Sequence, residues 1–349
     1  MNSKLTPLMR QYWDIKVAHK DKVLLFRMGD FFEIFHDDAV TAAPVLGIAL
    51  TKRNQKSADE TPMCGVPHHS IGTYINKLLK AGHKVAMCDQ IEDPKLAKGL
   101  VKRAVTRILT PGMVFDPDQL DQLTPNYIAA LDSESVAFAD PSTGEAFYFE
   151  AEDEFERSRL LEVLRPSELL LAFDQESERE ALAGLHLTML GAASAKKSAR
   201  DNLRDYIEGL EVNSKAPEIK FEKRGLATRL ELTQNTIRHL ELFENNRGQP
   251  QSSLFAVVNK TRTPGGSRLL RSWLAFPLAK APEILERQGR VESWIQNPAG
   301  LKSVREGLQK IGDLERRTMR VANSASNARD MLSLCQALTG ATEVETLKP

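Results

Sequence analysis

The hydrophobic pattern of this chain changes character along its length, and that change constrains the fold more than any single motif. Short apolar runs of strand length alternate with turn residues up to about residue 225, and from Ala227 onward only stretches of helical periodicity remain. A chain patterned in this way is neither one sheet nor one bundle. At 349 residues it is also long for a single core. The reading is a multidomain protein: a mixed α/β domain over 1–115, a second α/β domain over 122–225, and an all-helical segment over 227–349.

Local signals support this division. Thr6 followed by Pro7 reads as a helix cap with proline at the first helical position, and Leu8, Tyr12 and Ile15 carry the helix to about Ala18. The run "KVLLFRM" is too short for a helix and reads as a buried strand ending at Gly29. "SIGTYINKLLKAG" is an amphipathic helix capped by Ser70 and closed by Gly82, and "KVAMCDQI" and "AVTRILT" read as two further strands. A proline-rich connection follows. Then "NYIAAL", "SVAFAD" and "EAFYFE" read as short strands with a turn at Pro141 to Gly144, and the acid-rich "AEDEFERSRLLEVL" reads as a helix. In the last part, "LATRLELTQNTIRHLELFE" and "EILERQGRVESWIQN" carry helical spacing.

A net charge of zero conceals an asymmetry. Residues 1–120 hold 17 Lys and Arg against 13 Asp and Glu, 121–220 hold 10 against 21, and 221–349 hold 20 against 13. The acidic middle is unsuited to lie along a polyanion, whereas both flanks are suited to it. Three scattered cysteines argue against a disulfide framework and for a reducing cytoplasm. No apolar segment reads as a signal peptide or a membrane span.

The sequence has no G-x-x-x-x-G-K-[ST], no G-x-S-x-G and no H-E-x-x-H; "TPGGSR" lacks the lysine and the preceding strand of a phosphate cradle. Cys64, His68, His69, His83 and Cys88 have poor zinc spacing, and loop histidines are the plainer reading. Asp30, Glu33, Asp37 and Asp38 could hold divalent ions for phosphodiester cleavage, yet Asp37 and Asp38 equally suit the first turn of a helix. Phe31 follows a Gly-Asp turn, where a side chain is presented rather than buried, while Phe32 and Phe35 suit the core. An aromatic at such a tip can wedge into a base stack. Glu33, on the same side if the backbone is extended, could meet a base edge; phosphate repels a carboxylate, so it would discriminate rather than add general affinity.

"MGDFFEIFHDDA" resembles the G-D-F-[YF]-E signature of the MutS family of bacterial DNA mismatch repair proteins. The resemblance continues, in the family's order, through "TPLMRQYW" before it. After it come "LTKRN", "PMCGVPHHSIGTYINKLLKAGHKVAMCDQIEDP", "KGLVKRAVTRILTPGM", "FADPSTGEAF", "TIRHLELFEN", "NKTRTPGGSRLLRSWLAFPL" and "IGDLERRTMRVA", so it covers nearly the whole chain. It implies a mismatch-recognition domain over 1–115, an RNase H-like connector over 122–225 and the start of the core and lever over 227–349. Phe31 would then be the intercalating aromatic and Glu33 the acid contacting the unpaired or mispaired base. Arg53, Lys98, Lys102 and Arg103 would neutralise the DNA backbone, or form a solvated face, and Met63 would pack at the DNA edge or in the core.

The implied partners are duplex DNA with mismatches or small loops and, through the connector, a MutL-like repair protein, in a cytoplasmic, nucleoid-associated setting. The connector-like part is short for the family. Clamp, ATPase domain and dimerising region have no counterpart in these residues. The resemblance thus implies a fragment or stand-alone piece ending within the lever, not itself an enzyme, with ATP and magnesium belonging to the ATPase domain. One stacked aromatic is worth ~1–3 kcal/mol, and even millimolar affinity needs about 4 kcal/mol. Weak DNA binding, little mismatch preference and no ATP hydrolysis are therefore expected of this chain alone. Two other readings are a metal-dependent nuclease using Asp30, Glu33, Asp37 and Asp38, and a docking module that never touches DNA.

Overall fold

The computed structural model describes residues 6–53, 60–92, 99–114, 120–151, 153–179, 182, 184–210, 218–322 and 326–345. They belong to two units, 1–114 with 206–216 and 115–205 with 217–349.

The first unit begins with α1 (Pro7–Ala18), where Thr6 Oγ1 accepts from Met9 N–H at 3.4 Å. Then come β1 (Val23–Met28), β2 (Phe31–Phe35), α2 (His36–Leu46), β3 (Thr51–Arg53) and β4 (Thr61–Pro67), followed by α3 (Ile71–Lys80), β5 (Val85–Gln90) and β6 (Arg103–Leu109). The sheet order is β3-β4-β2-β1-β5-β6. β1 is buried on both faces because Val23, Leu24, Leu25 and Phe26 leave it no polar side, as an interior strand requires. One face, with Leu24, Phe26, Phe35, Ala86 and Cys88, packs against Met9 and Tyr12 of α1. Phe32 and Ile34 of β2 are buried on the other face, and α2 and α3 supply buried Ala39, Ala42, Leu46, Ile75 and Leu78. Burying each large apolar side chain stabilises the unit by about 1.5–3 kcal/mol.

Sequence reading missed β3 and β4. Pro62, Gly65 and Pro67 within "TPMCGVP" argue against a strand, but five registered pairs with β2, from Phe31↔Pro67 to Phe35↔Met63, override that local preference. Ser70 stands before α3 as expected, although its hydroxyl donates to Pro67 O instead of capping the helix.

The second unit holds β7 (Ile128–Leu131), β8 (Ser135–Asp140), β9 (Glu145–Glu150), α4 (Glu154–Leu164), β10 (Glu168–Leu171) and β11 (Leu187–Met189). α5 (Ala199–Leu210) follows, its last turn counted with the first unit, and then β12 (Glu222–Lys223). Its sheet order is β11-β10-β7-β8-β9-β12: an antiparallel meander β7-β8-β9, with β10 and β11 added parallel on one side and β12 parallel on the other. Tyr127, Phe138, Phe147 and Phe149 form its aromatic core.

The rest of the second unit is helical: α6 (Gln234–His239), α7 (Leu254–Val258), α8 (Pro264–Ala275), α9 (Ala281–Gln296), α10 (Pro298–Ile311), α11 (Leu314–Ala322) and α12 (Ala328–Glu345). The mixed α/β region followed by helical segments is as the sequence predicts. The periodic stretch from Leu226 to Glu244 is an exception, because only the six residues of α6 are helical within it. Thr233 caps that helix, Glu241 leaves it at φ +50°, and Arg229 forms a β-bridge with Leu278.

Two buried arginines hold the segment entering β7. Arg316 of α11 donates to Asp121 O at 2.8 Å and Thr124 O at 2.9 Å. Arg268 of α8 donates to Gln122 O at 3.1 Å and forms a two-pronged pair with Asp313 at 2.8 and 2.9 Å. Among the described residues, no helix is long and apolar enough to cross a membrane.

Candidate nucleic-acid interface

The opening of the site is a hairpin. β1 and β2 pair antiparallel through Phe26↔Glu33, Arg27↔Phe32 and Met28↔Phe31, leaving Gly29 and Asp30 as a two-residue turn. Gly29 takes φ +58° at the first turn position, where such hairpins favour glycine. The turn is held from both sides: Arg27 Nε donates to Gly29 O at 2.5 Å, and His68 N–H donates to Asp30 O at 2.8 Å.

Side chains alternate along β2. Phe32 and Ile34 are buried on one face, and Phe35 is buried on the other beneath Tyr12. Phe31 shares the face of Phe35 but lies at the strand's free end, and it is 49% exposed. Glu33 lies between them, its side chain 22% exposed. The carboxylate accepts no hydrogen bond among the described residues, and its nearest cation is Arg53 Nη1 at 3.9 Å. Burial pushes this carboxyl above its ordinary value, while Arg53 and Arg103 act in the opposite direction. Opposite Glu33 the chain supplies Gly65, whose missing side chain leaves the carboxylate's flank open.

Arg53 and Arg103 approach Glu33 differently. The Arg53 guanidinium stands over the Phe35 ring at 5.6 Å, with Nη1 3.9 Å from Met28 Sδ. Arg103 stands over the Phe26 ring at 5.2 Å, and its Nε donates to Arg27 O at 2.7 Å. Its Nη1 donates to Val101 O at 2.9 Å and Gln11 Oε1 at 3.1 Å. Arg103, read from the sequence as a backbone neutraliser or part of a solvated face, is partly buried and donates to three internal acceptors.

The other sequence-derived residues are spread out. Lys102 is exposed, with its N–H on Glu92 Oε1 at 2.6 Å. Lys98 lies outside the described residues. Met63 pairs with Phe35 and packs, partly buried, against the α1-facing core. The four carboxylates do not converge: Asp38 is bound by Lys16 Nζ at 2.9 Å and Leu24 N–H at 2.9 Å, and Asp37 and Asp38 occupy the first turn of α2. Among the described residues no three His, Cys, Asp or Glu side chains are grouped to hold a metal. His68 stacks on Phe32 at 5.8 Å, and Cys64 and Cys88 are buried.

The bracing residues Gln11, Arg27 and His68 were not foreseen. Their roles depend on long-range pairing of β1, β2, β4 and β6, and periodicity carries no signal for it.

Comparison with known proteins agrees with this architecture. MutS domain I matches residues 6–118 and MutS domain III matches residues 235–348. The DNA mismatch repair protein MutS of Streptococcus pneumoniae (strain Hungary19A-6) is 35% identical over 368 aligned residues, covering 99% of this chain and 43% of that protein. The protein of the same name from Streptococcus thermophilus (strain ATCC BAA-491 / LMD-9) is 35% identical over 356, covering 96% and 42%. The chain thus spans less than half the length of these relatives.

Proposed function

This chain belongs to the MutS family of DNA mismatch repair proteins, and on that premise we propose that its first unit tests duplex DNA for mispaired or unpaired bases. Phe31 is the wedge and Glu33 the group that meets the displaced base. The observation that carries this reading is the pairing on one strand face of a half-exposed phenylalanine with a largely buried carboxylate that accepts no hydrogen bond among the described residues and has Arg53 Nη1 at 3.9 Å. An aromatic at a braced turn enters a step where stacking is already weak. A carboxyl whose proton affinity burial has raised can donate to a base acceptor as well as accept from a base amine, so it tests base identity instead of adding affinity.

Residues 122–225 are read as the RNase H-like connector, carrying a MutL-like partner, and residues 227–349 as the start of core and lever. The meander flanked by parallel strands supports the connector reading, and the acidic charge of 121–220 fits a region away from DNA.

Fluorescence anisotropy with a labelled duplex carrying one unpaired thymidine, against its matched homoduplex at low salt, tests the reading. Weak binding with a small heteroduplex preference that Phe31→Ala abolishes is expected. Equal binding of both duplexes by wild type and variant would remove Phe31 from any sensing role in this chain.

A further inference from the structure

The two arginines beside Glu33 differ in what holds them. Arg103 has three oxygen acceptors, Arg27 O, Val101 O and Gln11 Oε1, all within 3.1 Å, and its guanidinium carbon lies 5.2 Å from the centre of the Phe26 ring. Its bond to Arg27 O continues toward the turn, because Arg27 Nε in turn donates to Gly29 O. Arg53 has no oxygen acceptor within hydrogen-bond distance among the described residues, only a methionine sulfur and the Glu33 carboxylate, both at 3.9 Å. It sits on the edge strand β3 with its side chain 29% exposed, so its five N–H donors can turn to an outside anion at small cost.

We propose that these arginines divide the work at the tip: Arg53 is an exchangeable counter-ion of Glu33 that a duplex phosphate takes over, and Arg103 is a positioning residue that holds the β1–β2 hairpin and makes no phosphate contact. In the free protein Arg53 neutralises Glu33. On the duplex, phosphate offers the fork two oxygens, Arg53 rotates to it, and Glu33 is released to the base. Arg103 is fixed through Nε on Arg27 O and Nη1 on Val101 O and Gln11 Oε1, so swinging its guanidinium out to a phosphate would break the bond to Arg27 O and loosen the turn that aims Phe31. This division rests on the reading of Phe31 and Glu33 given above.

Salt dependence separates the two roles. Each neutralised phosphate adds about 0.9 to the slope of log Kobs against log salt, so over a fourfold rise in salt one contact is worth about 3.5-fold in affinity. The full chain is titrated with the bulged duplex and the homoduplex for wild type, Arg53→Met, Arg103→Met and Arg103→Lys. Arg53→Met should flatten the slope by about 0.9 on both duplexes, so that its affinity falls about 3.5-fold less than wild type over that salt rise, and keep the heteroduplex-to-homoduplex ratio. Arg103→Met should keep the wild-type slope and lose the ratio. Arg103→Lys, which retains charge and is the better tolerated change, should also lose the ratio, because a single ammonium cannot span the three acceptors.

A shallower slope in Arg103→Met with the ratio restored by Arg103→Lys would overturn the division and make Arg103 a phosphate contact. An unchanged slope in Arg53→Met would overturn the exchange. A wild-type chain that binds both duplexes alike would instead sink the wedge reading itself.

Discussion

Arg316 Nε lies 3.1 Å from Ser142 Oγ, joining α11 to the turn after β8 in a place that leaves the arginine 1% exposed. Ser142 passes the connection on to Asp140, whose Oδ1 accepts from Ser142 Oγ at 2.6 Å and whose Oδ2 accepts from Asn126 N–H at 2.9 Å. Removing the guanidinium takes the donor from two main-chain carbonyls and the nearby positive charge from the buried Asp140 carboxyl, which keeps its bonds from Ser142 and Asn126. Arg316→Met should therefore cost about 3–5 kcal/mol, read as a lower midpoint in urea for the second unit. Arg316→Lys should recover only a small part, since it lacks the fork.

Phe31→Ala should behave in the opposite way. The ring is half exposed at the end of its strand, so stability should change by no more than about 0.5 kcal/mol. Whatever heteroduplex preference the chain has should vanish, corresponding to about 1–3 kcal/mol for one base–aromatic stack. Thermal melting and anisotropy on the same samples check both halves.

Gly29→Ala isolates backbone strain. A Cβ at this position meets nothing within 4 Å, yet the residue holds φ +58°. The loss should be about 1–2 kcal/mol, visible as faster amide exchange in β1 and β2 before any global change.

Glu33 should make stability fall as pH rises. Its folded carboxyl binds a proton more tightly than the unfolded one, because burial penalises the charge. The folded state then holds more protons through the titration, so the contribution is complete below the unfolded value and is lost as pH rises through the folded value. Glu33→Gln should raise the melting temperature at neutral pH, and the gain should shrink toward pH 4. A gain independent of pH would assign the effect to something other than the charge.

Thiol labelling offers a separate check on the first core. Burial pushes the Cys64 thiol up to about 11 and, with Arg103 partly offsetting it, the Cys88 thiol up to about 12, whereas Cys335 is exposed. At pH 8 one cysteine should react quickly with a disulfide reagent and two only on unfolding.

The helices and strands whose signals are local could be read from sequence. Thr6 and Pro7 announced α1, the run Val23 to Phe26 announced an interior strand, and the presented position of Phe31 followed from the Gly-Asp turn. What could not be read depends on partners far away in the chain. β4 exists because β2 offers it a ladder, despite two prolines and a glycine. Arg103 looked like any surface cation until Arg27 O and Gln11 took its donors. Arg268 and Arg316 carried no sequence mark of burial, because an arginine is buried only where the fold collects enough acceptors to satisfy it.

The position of β2 in its sheet has a mechanical consequence. Phe31 ends a strand flanked by β1 and β4, both antiparallel to it, β4 paired with it from Phe31 to Phe35 and β1 from Phe31 to Glu33. A push on the ring along the strand axis loads those ladders in shear, so many bonds resist at once; on an outer strand, a sideways pull could peel them apart one at a time. The hairpin can therefore transmit compressive force into the sheet without bending, as a chisel does when its blade is clamped on both sides.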